Sequence, residues 1–362
     1  MTVPAQGNRW SLPTPVWPLG EPNRQTHALP SPVETCATIR SVPPAMLAVD
    51  VMRSTDQNNF ILVGGKSMPR KSEATLAGWT GKASDSEDAR YQWTKDQIFD
   101  AIKVCSFDGK SYDVYPKGSY PNHTNVVRDS DVDIAVELTG LTRHEFIHGA
   151  SELSMRDFGI PVYTGSYNVL NFKNEVEAAL VDRFGRAAVE RGNKAIHVRE
   201  TARSLKADVV VCQTLISHSS RHSERQGILI RPDSGGEIHN FPKQHLSEGV
   251  TKNEKTYRRY KRTVRILKRL ENEMVDVGAI DAVPSFLIES LVFNVSNAVF
   301  NNHGTWAERV RSTLNAIART YKEQDGWVEA NNIKYLFHDS QPWTEAQADF
   351  FARTALAYLE LS

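Results

Sequence analysis

The chain has 362 residues, 40% of them hydrophobic and 24% charged, enough apolar mass for one large or two ordinary soluble domains. Lys plus Arg and Asp plus Glu both number 43, and the zero formal charge excludes a generic nucleic-acid coat or a polybasic membrane binder. Cys36, Cys105 and Cys212 are too scattered for a zinc knuckle or disulfide framework, no apolar run nears the ~20 residues of a membrane span, and the start lacks an apolar signal core. A protein of the reducing cytoplasm is expected.

Residues 1–67 hold nine of the 17 prolines and show no sustained period, so a flexible extension is expected, with Met68 as a candidate start of the working protein. Ser84 and Glu87 form an S-x-x-E capping box for a helix running to about Val104. "DGKSYD" then reads as a turn and "VYPKGS" as a short strand. "DVDIAVEL" alternates with period 2 and predicts another strand. A helix is predicted over 171–191, because Val176, Leu180 and Phe184 share a face. "KAIHVRE" and "ADVVVCQT" read as strands, and "GILIRPDSGGEIHNFP" as a hairpin turning at 233–236. Beyond about His245 only helical patterns remain, at 252–275, 283–300, 304–322 and 344–360. The fold class is therefore α/β (α+β): an α/β core over 68–245, then an all-helical part over 246–362.

The chemistry concentrates in 118–138. Along a strand, alternate residues share a face. Val132, Ile134, Val136 and Leu138 thus form an apolar face, while Asp131 and Asp133 lie together on the other. Neighbouring carboxylates repel unless a cation sits between them. A pair of divalent ions ~3.5–4 Å apart is the usual clamp for in-line phosphoryl displacement. Mg²⁺ suits such a site, since it takes one or two carboxylates plus substrate phosphates. Gly118-Ser119, a short loop upstream, would let backbone approach a phosphate closely. The second G-S-Y triplet, at Gly165, has no D-x-D after it and reads as a turn. Asp208, an acid opening the apolar run "DVVVC", is the candidate third carboxylate. Arg258, Lys261, Arg265 and Lys268 are spaced to share one helix face, a cationic stripe suited to a triphosphate. Spacing does not choose among them.

"KGSYPNHTNVVRDSDVDIAVEL" resembles the nucleotidyltransferase core shared by cyclic GMP-AMP synthase, oligoadenylate synthetase and the bacterial CD-NTases of the polymerase-β-like superfamily. "IHNFPKQHLSEGVTKNEKTYRRYKRTVRILKRLENEM" is similar to the bacterial branch in particular. The resemblance covers about 68–362 and implies a mixed sheet in the core. It implies that Asp131, Asp133 and Asp208 are catalytic and hold two Mg²⁺ (or Mn²⁺) ions, with no organic cofactor. It implies nucleotide contacts from Gly118 and Ser119, from Lys268, and from the Ser285-Phe286 pair. The implied activity joins nucleoside triphosphates into a cyclic di- or trinucleotide messenger of anti-phage signalling. Implied partners are those substrates, an effector sensing the product and a regulatory protein; neither membrane nor nucleic acid is required.

Two rivals stay open. One is a linear oligonucleotide synthetase or a transferase to another acceptor. The other is a zinc hydrolase built on His144, Glu145 and His148, which spell His-Glu-x-x-His. Base choice is assigned to no residue, with 213–227 as the segment to inspect.

Overall fold

A computed structural model of the chain describes residues 71–82, 84–126, 131–319, 326–338 and 341–359. The proline-rich 1–67 and Met68 lie outside the described residues. Those described fall within one compact unit.

Helix α1 (Glu73–Trp79) is followed by α2 (Asp85–Lys103), whose N-cap Ser84 accepts a hydrogen bond from the Glu87 amide at 3.3 Å. The expected box is half formed. The Glu87 carboxylate instead accepts from the Tyr120 hydroxyl at 3.1 Å. Strand β1 (Tyr112–Lys117) leads through Gly118 into the short α3 (Ser119–Asn122), and β2 (Val132–Phe146) comes next. Helix α4 (Val169–Phe184) stops short of the expected Arg191, because Gly185 turns the chain at φ 86°. The chain then enters strand β3 (Val189–Arg191) and runs on through β4 (Ile196–Val198), β5 (Ala207–Ser220), β6 (Ser223–Ile230) and β7 (Ile238–Asn240).

The sheet is mixed, in the order β1-β2-β5-β4-β3, with β6 on the far half of β5 and β7 beside β6. Strands β2 and β5 run parallel and the other pairs antiparallel. Their parity does what the sequence requires. Val132, Ile134, Val136 and Leu138 join Val209 and Val211 against Ile98 and Ile102 of α2 and Phe172, Val176 and Leu180 of α4. The acids are left on the opposite face.

The expected helix 252–275 is two helices, α5 (Pro242–Lys255) and α6 (Arg259–Asp276). Tyr257 and Arg258 break it with positive φ values of 50° and 63°. Likewise 283–300 divides into α7 (Ser285–Asn294) and α8 (Asn297–Asn301). Helices α9 (Trp306–Arg319) and α10 (Glu345–Tyr358) complete the helical core, which Leu76 and Trp79 of α1 also enter.

The His-Glu-x-x-His reading is overturned here. That motif needs both histidines on one helix face. His144 and Glu145 instead lie on β2, where consecutive side chains point to opposite faces. His148 falls in a separate 3₁₀ turn (His148–Ala150). His144 Nδ1 sits 3.0 Å from His218 Nε2, a residue outside the motif.

Candidate active site

The two parallel strands set Asp133 of β2 beside Asp208 of β5. The row continues outward on both sides, to Lys117 of β1 and His197 of β4. Adjacent strands are ~4.8 Å apart, so two acids and two bases stand in one line across the sheet. Lys117 Nζ lies 3.2 Å from Asp133 Oδ1, and His197 Nδ1 lies 2.6 Å from Asp208 Oδ1. Asp131, just ahead of β2, meets Lys206 Nζ at 2.5 Å. Burial pushes the Asp133 carboxyl above its ordinary value; Lys117 opposes this, and the charges of Asp208 and Asp131 add to it. The hydrogen bond to Asp131 lifts the Lys206 ammonium above the usual lysine value.

Gly118 is where backbone geometry and the acids meet. Its φ of 75° and ψ of −148° belong to a region open essentially to glycine alone. A Cβ here would also lie 3.0 Å from Asp133 Cγ, and closer still to Oδ2. The turn is anchored by Tyr120, which stacks on Tyr91 with centroids 4.3 Å apart.

All eight residues that the resemblance implies as catalytic or nucleotide-contacting line one cavity of about 460 Å³. Gly118, Ser119, Asp131, Asp133 and Asp208 form its sheet side, and Lys268, Ser285 and Phe286 its helical side. The structure also sorts the basic stripe. Arg258 lies ahead of α6, not on it. Arg265 is spent on carbonyls: its Nε donates to Thr80 O at 2.8 Å, and Nη1 donates to His123 O. Lys268 is 2% exposed, lines the cavity and makes no hydrogen bond to other described residues. It is the member of the stripe whose ammonium faces the cavity.

Sequence reasoning missed Lys206, His245 and Glu289 of the same wall, and the flanking bases Lys117 and His197. Position was their only signal: Lys117 immediately precedes Gly118, and Lys206 precedes β5. The segment 213–227, inspected for base choice, is instead the β5–β6 hairpin, and none of it lines the cavity.

A Gly-Ser turn, a strand carrying paired acids, a third acid on the parallel neighbour and a helical wall define a nucleotidyltransferase of the polymerase-β-like type. Residues 247–360 match the cGAS/DncV-like nucleotidyltransferase C-terminal helical domain. The chain is 33% identical over 299 residues to the cyclic dipyrimidine nucleotide synthase CdnE of Cecembia lonarensis, spanning 81% of this chain and 100% of that one. It is 36% identical to the cyclic dipurine nucleotide synthase of Elizabethkingia meningoseptica, spanning 80% and 98%. The structure of the Elizabethkingia meningoseptica CdnE cyclic dinucleotide synthase with GTP and Apcpp superposes with a TM-score of 0.66 at 33% identity, covering 80% of this chain and 99% of that one. The Rhodothermus marinus CdnE c-UMP-AMP synthase with Apcpp and Upnpp gives 0.70 at 29% identity, covering 79% and 95%. The chain belongs to the CD-NTase family. It is a nucleotidyltransferase that condenses nucleoside triphosphates into a cyclic oligonucleotide. No described helix is long and apolar enough to cross a membrane.

Proposed function

We propose that the cavity between the acid row and α6–α7 is where this condensation occurs, and that Asp131, Asp133 and Asp208 are its catalytic carboxylates. The convergence of a Gly-Ser turn, three acids and a lysine on one cavity carries this reading. The donor set fits Mg²⁺ or Mn²⁺, because three carboxylates offer hard oxygens and burial already strains Asp133 as an anion. In this conformation the acids are paired with Lys206, Lys117 and His197, bases they would exchange for two ions. Such ions, when bound, neutralise phosphate charge and acidify the attacking hydroxyl.

The rest of the mechanism belongs to the chain itself. Gly118 and Ser119 bring backbone amides and a hydroxyl to the donor triphosphate. Lys268 takes the phosphate charge from the helical side. Phe286 offers a ring, with Ser285 beside it, for the nucleotide. Asp208 orients the acceptor ribose hydroxyl for attack on the α-phosphate, and pyrophosphate leaves. Further condensations in the same cavity, each releasing one pyrophosphate, extend the chain and close the ring: two in all for a dinucleotide, three for a trinucleotide. Catalysis is mainly positioning and fixed charge.

The product is a cyclic di- or trinucleotide messenger, read by a downstream effector in anti-phage defence and controlled by a regulatory partner. Relatives of like identity make dipyrimidine and dipurine rings, so the bases depend on individual cavity residues and not on overall likeness. Pyrophosphate release by Asp133→Ala tests the assignment. Loss of turnover with unchanged circular dichroism is expected; a fully active variant would refute it.

A further inference from the structure

Two polar side chains of the cavity wall, His245 on α5 and Glu289 on α7, are 7% and 2% exposed. Buried polar groups of this kind keep their place through hydrogen bonds. His245 Nε2 lies 2.8 Å from Glu289 Oε1, and the Thr124 hydroxyl donates to Glu289 Oε2 at 2.8 Å. On its other side, His245 Nδ1 lies 3.3 Å from Asn122 Nδ2, which also donates to the Gly118 carbonyl at 2.8 Å. A carbonyl only accepts, so Asn122 presents its NH₂ group here. Its second N–H donates to His245 Nδ1. The imidazole is therefore neutral and carries its proton on Nε2, aimed at Glu289.

The same four residues reach the turn twice. Asn122 holds the Gly118 carbonyl, and the Thr124 amide donates to the Ser119 carbonyl at 3.0 Å. Asn122 Oδ1 is left buried without a partner, so packing alone does not favour this orientation; the two bonds from Nδ2 hold it. Helix α5 reaches the turn through Gly249, where a Cβ would come 3.3 Å from Asn122 Oδ1. On α7, Phe286 lies one turn before Glu289 and stands edge-on to His245, with centroids 5.2 Å apart.

We propose that His245 and Glu289 are positioning residues: with Asn122 and Thr124 they form a buried hydrogen-bond relay that anchors the Gly118–Ser119 turn to the helical wall bearing Lys268 and Phe286. The relay fixes the two halves of the triphosphate cradle relative to one another. It rests on the reading of the cavity as the triphosphate site.

The test is steady-state kinetics on the full chain with Mg²⁺ and nucleoside triphosphates. His245→Gln keeps a donor for Glu289 but loses the link to Asn122. Glu289→Ala loses both links. Glu289→Gln keeps both, accepting from His245 and donating to the Thr124 hydroxyl. The first two should lower kcat by about 10–100-fold with KM changed by less than about threefold, and Glu289→Gln should restore most of kcat. Unchanged kcat in His245→Gln, a Glu289→Gln as impaired as Glu289→Ala, or losses that track unfolding in thermal melts would overturn the relay. Nitrogen-15 NMR of the wild-type His245 ring decides the matter independently of any variant. A neutral Nε2–H ring is expected; an imidazolium or an Nδ1–H ring would overturn the proposal. A wild type inactive on triphosphates would count against the proposed function, and the ring tautomer would still decide the relay.

Discussion

Replacing Gly118 by alanine separates catalysis from stability. Two effects act at this position. Holding a side chain at φ 75° and ψ −148° costs about 1–3 kcal/mol. For a domain with ~5–15 kcal/mol in hand, that lowers the melting temperature by a few degrees and leaves the protein folded at 25 °C. The second effect is local. The added methyl would stand 3.0 Å from Asp133 Cγ and nearer to its carboxylate oxygen, so Asp133 must move. A displacement of ~1 Å at a reacting group costs on the order of 100-fold in rate. Gly118→Ala should therefore lose about two orders of magnitude in kcat while most molecules remain native. Pyrophosphate release and a thermal melt on one preparation measure both quantities. A variant with wild-type kcat would refute the coupling of this turn to Asp133, and a loss explained by the unfolded fraction alone would refute its local origin.

The same geometry sets other outcomes. Lys268→Met should raise KM for the triphosphates by roughly 10–100-fold, the range of one or two charge-assisted hydrogen bonds. Arg265→Ala should instead lower the melting temperature with KM little changed, because Arg265 caps Thr80 and His123. If Arg265→Ala alone raised KM, the sorting of the stripe would be wrong. His144→Ala should leave pyrophosphate release intact, with no stoichiometric zinc in the wild type by elemental analysis. Bound zinc together with lost activity would revive the hydrolase reading.

Local periodicity carried much of this architecture. The alternation after Asp131 defined a strand and its two faces, and the glycine ahead of Ser119 marked a close approach. Both signals depend on neighbours in sequence. The partner of Asp133 does not: Asp208 reaches it through a parallel pairing of strands far apart in the chain. Oddness, an acid opening an apolar run, was its only trace. The basic stripe shows the limit of helical spacing. Arg265 and Lys268 lie on nearby turns of α6, yet one meets carbonyls and the other the cavity, a difference set by what packs above them. The break at Tyr257 and Arg258 carries no glycine or proline to announce it. His245 and Glu289 gave no local signal, since each is one polar residue on its helix until the turn at Gly118 is brought against it. The His-Glu-x-x-His letters misled for the opposite reason. Continuing strand pairing with β5, through Arg143 to Phe146, outweighed a short match to a helical motif.

The most direct measurement is mass spectrometry of products made from ATP, GTP, CTP and UTP with Mg²⁺ or Mn²⁺, beside the Asp131→Ala/Asp133→Ala double variant. A cyclic di- or trinucleotide formed by the wild type and absent from the variant is the expected result. Linear products, or cyclic products from the variant as well, would contradict the assignment of ring-forming chemistry to this acid row.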